Sequence, residues 1–159
     1  KGIGNVVGLT LGTGLGAGVI AAHELVRGQL SGCGELGLIP YRDGILEQYA
    51  SGMFFKRNGW PDGQALADRA AARDINALAL YEEYGRHLGQ AIRIALFAYA
   101  PEVIVLGGSV ARSYSFFESA MKRELLDFPF PKLAESLQIF VSVDSHMALF
   151  GAAALCRLP

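Results

Sequence analysis

The stretch from Asn5 to Gly18, NVVGLTLGTGLGAG, places the strongest constraint on what this chain can fold into. Its apolar first half favours a buried β-strand, and that strand leads directly into glycines at alternate positions. These glycines are Gly12, Gly14, Gly16 and Gly18. Glycine accepts a positive φ and lets a ligand approach the backbone, and Thr13 adds a hydroxyl donor among the amides. On its own, the stretch fits either a tight β-hairpin or a turn that binds phosphate.

A dinucleotide-binding turn is a third interpretation, because Gly12 to Ala17 also fits the loose pattern G-x-G-x-x-A. That fingerprint requires a helix directly after the glycines, with its N-terminus directed at the pyrophosphate. The next segment, bracketed by Gly18 and Gly28, is too short for a stable helix and contains apolar pairs typical of two short strands. We therefore predict a hairpin that turns near His23, which argues against dinucleotide binding.

Composition and charge exclude several classes of partner. The chain has 159 residues, of which 52% are hydrophobic and 18% charged, as expected for one domain with a substantial core. The net charge is -1, and the cation pairs Lys56-Arg57 and Lys122-Arg123 are interpreted as solvated faces, so nucleic acid is not expected as a partner. Cys33 and Cys156 lack metal-ligand spacing and fit a reducing compartment. Because no apolar run reaches the roughly 18 to 20 residues of a membrane span, we expect a cytoplasmic protein.

Two glutamates lie between the glycine-rich stretch and the helical part of the chain. Residues 29–43 form a loop rich in glycine and proline with Glu35 at its centre, where a glutamate is ordinarily solvated. A helix is predicted from Gly44 to Ser51, with Asp43 as its N-cap. Glu47 lies in the first turn of that helix and complements the helix dipole.

The remainder predicts helices alternating with strands. A short helix over Gln64 to Arg73 precedes a long amphipathic helix from Ile75 to Tyr99, capped by Asp74. A lone histidine in that helix, His87, is interpreted as a packing or surface residue. A β-branched strand from Val103 to Leu106, typical of a strand covered on both faces, then runs into Gly107-Gly108-Ser109. This second strand followed by glycines would let a ligand approach the edge of the sheet.

Three further elements complete the predicted order. They are an amphipathic helix over Tyr114 to Leu126, a strand over Leu137 to Val143, and a final helix of small residues, MALFGAAALCRL, which Asp144 would cap. The whole order predicts an α/β fold with a mixed sheet and helices crossing between its strands. The missing initiator methionine before the first strand suggests a piece of a longer protein.

Five ordered segments together resemble the C-terminal lobe of the ROK family, the repressors, open reading frames and sugar kinases. The segments are LTLGTGLGAG, GELG, LEQYASG, APEVIVLGGSV and ALFGAAAL. The resemblance extends over almost the whole chain, and the order of the five segments makes it more specific than any single glycine motif. The resemblance implies a ribonuclease H-like, actin-like ATPase lobe with a mixed sheet and helices on both faces.

The resemblance also implies roles for particular residues. In that family the LGTGxGxG turn contacts ATP phosphates, which implicates Gly12, Thr13, Gly14 and Gly16. The IVLGG turn lies beside the nucleoside, which implicates Gly107, Gly108 and Ser109. The glutamate of GExGH and the one before xxASG bind sugar hydroxyls, which implicates Glu35 and Glu47, since a carboxylate accepts from two hydroxyls at once. The implied cofactor is ATP with Mg²⁺.

The sequence departs from the family pattern at Leu38, where the pattern has a histidine that ligates zinc and touches sugar. The cysteine-rich zinc segment after this position is also missing, so we predict no structural zinc. The DxGxT phosphate loop and the general-base aspartate belong to an N-terminal lobe, and neither motif occurs here. We therefore expect residues 1–159 to be a single C-terminal lobe without a catalytic residue, inactive alone.

The expected function is part of an ATP-dependent hexose kinase whose partners are sugar, ATP and its own N-terminal lobe. The resemblance also implies a homodimer, because family members often dimerise. The alternative is a sugar-sensing domain of a ROK-type regulator or an inactive kinase-like protein, and Leu38 together with the lost zinc segment motivates it.

Overall fold

The computed structural model describes residues 2–142 and residue 144. Its strands are β1 (Val6–Leu11), β2 (Leu15–Ala21), β3 (Glu24–Leu25), β4 (Pro40–Tyr41), β5 (Gly44–Ile45), β6 (Val103–Gly107) and β7 (Gln138–Val141). One five-stranded sheet has the order β3-β2-β1-β6-β7, and β4 pairs with β5 in a separate ribbon. Strands β1, β2 and β3 pair antiparallel, whereas β6 is parallel to both β1 and β7. The predicted mixed sheet is therefore confirmed.

The helices follow the ribbon and flank β6. They are α1 (Glu47–Ala50), α2 (Gly52–Arg57), α3 (Gly63–Ala71), α4 (Ile75–Tyr99), α5 (Tyr114–Arg123) and α6 (Pro131–Ser136). Short 3-10 helices occur at Gln29–Ser31, Leu36–Leu38 and Val110–Ser113. Within the described residues, no helix combines the length and apolar character that crossing a membrane requires.

The opening glycines form the turn of one hairpin, β1–β2, and the hairpin predicted to turn near His23 follows it as β2–β3. Leu11 pairs with Leu15 across a turn in which the Gly12 amide donates to the Gly14 carbonyl over 3.1 Å. After β2, the chain reverses through Ala22 and His23, whose φ values of 50° and 68° make a tight turn into β3. The helix that a dinucleotide-binding turn needs is thus replaced by a strand, which removes that interpretation.

The core lies between one face of the sheet and the long helices. Val7 and Leu9 of β1 stand beside Ile104 and Leu106 of β6 in the parallel register, and all four are buried. Helices α4 and α5 pack closely because Gly85 of α4 has no side chain: a Cβ there would lie 2.6 Å from the Phe117 carbonyl oxygen. The long helix has the bounds that the sequence predicts, and the Asp74 carboxylate accepts from the Asn76 amide at 2.9 Å.

The helix predicted from Gly44 to Ser51 is wrong in its first turn. Gly44 and Ile45 pair with Tyr41 and Pro40 as a ribbon, and α1 begins only at Glu47. The chain reverses direction at Arg42, which has a φ of 53°. Because this tight turn places Gly44 and Ile45 beside β4, the helix can begin only after them. Asp43 is therefore not an N-cap, and its carboxylate accepts from the Tyr49 hydroxyl instead.

Several other boundaries differ from the prediction by a few residues. Helix α5 ends at Arg123 instead of Leu126, because the chain there changes to turns in which the Leu125 amide donates to Lys122. Strand β7 begins at Gln138 and ends at Val141, short of the predicted range. Val143 and the predicted final helix lie outside the described residues.

Candidate functional site

The segment Ala50-Ser51-Gly52 braces the opening glycine turn. The Gly52 amide donates to the Gly12 carbonyl at 2.8 Å, and the Ser51 hydroxyl lies 3.1 Å from the Thr13 carbonyl. A Cβ at position 52 would lie only 2.7 Å from the Gly12 oxygen, so glycine is required for this approach. Because two successive carbonyls of the turn are held in this way, the turn has one defined conformation with the Thr13 side chain exposed.

Glu47 lies directly on the same turn. One of its carboxylate oxygens, Oε2, accepts from the Leu15 amide at 2.9 Å, at the start of β2. A Cβ at Gly14 would collide with that carboxylate, so the bare glycine makes room for it. Glu47 is half-buried, and its second carboxylate oxygen has no hydrogen bond with the described residues. The carboxylate therefore links α1 to the glycine turn and still has an oxygen for a ligand.

The loop that carries Glu35 packs against this position. Gly34 has a φ of 92° and lies so close to β2 that a Cβ would be 2.6 Å from the Ala17 oxygen. A Cβ at Gly37 would be 2.5 Å from the Leu15 oxygen and 3.4 Å from Cβ of Glu47. Glu35, between these two glycines, is exposed. The fold thus brings the loop of Glu35 and the helix of Glu47 together at Leu15.

The second predicted glycine turn reaches the same end of the sheet. Gly107 is the buried last residue of β6, and Gly108 has a φ of 92°. A Cβ at Gly108 would lie 2.5 Å from the Leu11 oxygen, which places it against the end of β1. Parallel neighbouring strands end at the same edge, and ligands of open α/β sheets bind at such an edge.

A cavity of about 140 Å³ joins parts of both turns. It is lined by Gly12, Thr13, Gly52, Phe55, Lys56, Trp60, Pro61, Gly63, Ser109 and Val110. Of the nucleotide-binding residues predicted from the sequence, Gly12, Thr13 and Ser109 line it. Gly14 lies instead under Glu47, and Gly16 is in β2, paired with Thr10.

Among the lining residues to which sequence reasoning assigned no ligand, Lys56 and Trp60 carry the side chains best suited to contact one. Lys56 was predicted to belong to a solvated face, and Trp60 lies in a turn between two helices. No local motif marks either residue. The only available signal was their position within a few residues of the segment containing Ser51, which the sequence does not connect to Ser109.

A buried histidine of the long helix contacts the two elements that precede and contain Glu47, the ribbon and α1. His87 of α4 is 1% exposed, and its Nδ1 lies 3.1 Å from the Tyr41 hydroxyl. Its ring also contacts Tyr49 edge-on, with the centroids 5.0 Å apart. Burial, and then the charge of Arg42, lower the pKa of His87, while Glu83 at 3.8 Å opposes them. The cluster joins both the ribbon and α1, and therefore Glu47, to the long helix.

Acid is expected to weaken the fold through His87. Because its pKa is below the ordinary value of 6.5, the unfolded chain takes up a proton that the native state resists as the pH falls below about 6.5. The free energy of unfolding should then decline more than the protonation of carboxylates alone would make it decline. Urea unfolding at a series of pH values from 7.5 to 5 measures this decline, and a His87→Gln variant should lack it. Equal slopes in the two proteins would contradict the prediction.

The described part of the chain contains no group of three or more His, Cys, Asp or Glu side chains placed to hold a metal ion. The lining of the cavity includes no carboxylate among the described residues. The absence of structural zinc stays a prediction.

Comparison with known proteins gives one consistent family. The ROK family model matches residues 1–158 of the chain. The glucokinase of Thermotoga maritima is 23% identical over 189 residues, covering 99% of this chain and 59% of that protein. The structure of a ROK family glucokinase from Streptomyces griseus, in complex with glucose and AMPPNP, is similar with a TM-score of 0.81 at 24% identity, covering 98% of this chain and 61% of that one.

A regulator is similar to the same extent. The structure of a ROK family transcriptional regulator, a homologue of the E. coli MLC protein, has a TM-score of 0.82 at 25% identity. The match covers 96% of this chain and 45% of the regulator. The chain therefore spans less than two thirds of each of these three proteins.

Proposed function

Because the chain belongs to the ROK family, we propose that it is the C-terminal lobe of an ATP-dependent sugar kinase. In this proposal, the lobe binds the sugar hydroxyls and one side of ATP. The position of Glu47 is the single observation that carries the proposal. Its carboxylate lies between the glycine turn, through the Leu15 amide at 2.9 Å, and the packed loop that contains Glu35.

The sugar would be held by the two glutamates. Oε2 of Glu47 accepts from the backbone, so its other oxygen remains for a sugar hydroxyl. Glu35 is exposed on the loop that packs against Glu47 through Gly37, and it offers both carboxylate oxygens. Acceptors fixed by packed backbone suit a polyol, because each hydroxyl of the sugar then finds an oriented partner and loses less entropy on binding.

The nucleotide would be held by the two glycine turns. The turn that contains Gly12, Thr13, Gly14 and Gly16 is proposed to face the phosphates, and Gly107, Gly108 and Ser109 the nucleoside. The cavity shared by Gly12, Thr13 and Ser109 supports this assignment. When bound, Mg²⁺ neutralises phosphate charge. Since the described lining has no carboxylate, its ligands would be phosphate oxygens and groups of another lobe.

Phosphoryl transfer would require residues that this chain does not contain. Transfer to a hydroxyl needs in-line positioning and a base that takes the hydroxyl proton. We assign the base and the first phosphate loop to an N-terminal lobe of the same protein. The 159-residue chain alone is then expected to bind ligands without turnover.

A sugar-sensing domain of a transcriptional regulator is the second candidate. Leu38 favours it, because this side chain is 57% exposed at the position where the family pattern has a sugar-contacting histidine. An apolar group there removes one polar contact, which weakens binding or changes the preferred sugar. The similarity to a ROK family transcriptional regulator supports the same candidate.

A phosphorylation assay of the full-length protein distinguishes the two candidates. With ATP and a panel of hexoses, the kinase proposal expects turnover with at least one sugar, and it expects none from residues 1–159 alone. Calorimetry with the same sugars gives the control, since a sensing domain would bind a sugar and leave ATP unconsumed. Sugar binding with no turnover for any hexose would overturn the kinase proposal.

A further inference from the structure

We propose that Lys56 and Trp60 form part of the nucleotide site, with the Lys56 ammonium on a phosphate oxygen and the Trp60 indole against the nucleoside. The inference rests on the proposed function, in which the cavity at Gly12 and Ser109 holds ATP. It adds two residues to which neither the family pattern nor the sequence assigned a role. Both line the same cavity of about 140 Å³ as the two glycine turns.

Lys56 is the positively charged residue among the described residues that line this cavity. Its side-chain ammonium makes no hydrogen bond or ion pair with residues 2–142, and its backbone carbonyl accepts from the Gly59 amide at 3.1 Å. Its neighbour Arg57 differs: its guanidinium lies 3.8 Å from Asp43 and stacks over the Tyr49 ring at 4.9 Å. A lysine at a cavity whose described lining contains no carboxylate attracts an anion. Lysine binds phosphate as a compact point charge, which suits a ligand with several equivalent oxygens.

Trp60 is held in place by its surroundings. Its amide donates to the Phe55 carbonyl at 2.9 Å, and the Arg69 guanidinium lies 5.2 Å from the ring centroid. The preceding turn is also held in place, because the Asn58 side chain donates to the Phe54 carbonyl at 2.9 Å. A half-buried indole fixed at a cavity wall offers a flat apolar surface on which a purine base can stack.

The local sequence explains why this wall has a defined shape. Gly59 has a φ of 83° in the turn that follows α2, and the Asp62 carboxylate caps α3 by accepting from the Gln64 amide at 2.9 Å. The turn therefore returns the chain to the cavity within a few residues. This brings Trp60 and Lys56, on consecutive elements, into one lining with Ser109.

The chain contains a single tryptophan, so its fluorescence reports on this wall alone. The 159-residue chain is titrated with ATP and with adenosine, while calorimetry measures the affinities independently. Both ligands are expected to change the Trp60 emission. A Lys56→Met variant should bind ATP about tenfold more weakly and adenosine unchanged, because only phosphate meets the ammonium. A Trp60→Ala variant should weaken both ligands by a similar factor.

The matched control is Lys122→Met, which removes the same charge from a lysine paired with Glu118 at 2.6 Å on α5. It should bind ATP as the unmodified chain does. The inference fails if ATP binds without a change in emission, if adenosine gives no signal at millimolar concentration, or if Lys56→Met binds ATP normally. If calorimetry detects no ATP binding at all, the nucleotide site of the proposed function fails with it.

Discussion

Replacing Gly108 with alanine is expected to lower the free energy of unfolding by roughly 2 to 4 kcal/mol. Two effects add. Gly108 has a φ of 92°, which a residue with a Cβ adopts only with strain. The new Cβ would also lie 2.5 Å from the Leu11 oxygen, 2.7 Å from its carbonyl carbon and 2.9 Å from its nitrogen. These atoms belong to the backbone of a central strand, so they cannot move aside as a flexible side chain would.

Gly59→Ala is the matched control for Gly108→Ala. Gly59 has a similar φ of 83°, but a Cβ there would meet nothing within 4 Å. Gly59→Ala should lower the free energy of unfolding through backbone strain alone, by about 1 kcal/mol. Urea denaturation followed by circular dichroism gives both values, and their difference isolates the contact with Leu11. Equal losses in the two variants would mean that β1 and the second glycine turn are not in tight contact.

The second large effect is expected when Glu47 is replaced. Two variants separate the loss of sugar binding from the loss of stability. Glu47→Gln keeps an oxygen for the Leu15 amide, so the glycine turn should persist and stability should change little. It removes the charge and one acceptor, and we expect the full-length protein to lose about 100-fold in kcat/KM for the sugar. Steady-state kinetics at saturating ATP measures this loss.

Glu47→Ala separates the structural role from the binding role. It leaves the Leu15 amide without its acceptor, so a further loss of about 1 to 3 kcal/mol in unfolding free energy should accompany the loss of activity. Glu24→Gln, an exposed glutamate of the hairpin, is the control and should alter neither quantity. If Glu47→Gln retains full kcat/KM while Glu47→Ala is destabilised, the carboxylate only supports the turn, and the sugar-binding role proposed for it is wrong.

The sequence by itself determined the elements whose causes are local. The alternation of β1, the turn near His23 and the apolar stripe of α4 with its Asp74 cap are each encoded within a few neighbouring residues, and each is present in the structure. The order of the glycine and glutamate segments also identified the family. Where a local rule competed with another contact, it failed: Asp43 fits an N-cap, yet the tight turn at Arg42 pairs Gly44 with Tyr41 instead.

Only the tertiary structure decided what the site contains. Ser51 and Gly52 hold a turn whose residues are nearly 40 positions away, as the Ser51 to Thr13 contact with a separation of 38 illustrates. Lys56 and Trp60 join Ser109 in one cavity although no periodicity or motif connects them. The physical reason is that strands and caps follow from backbone geometry and neighbouring side chains. A binding site follows from which distant backbones can approach each other, and here glycines without a Cβ permit that approach.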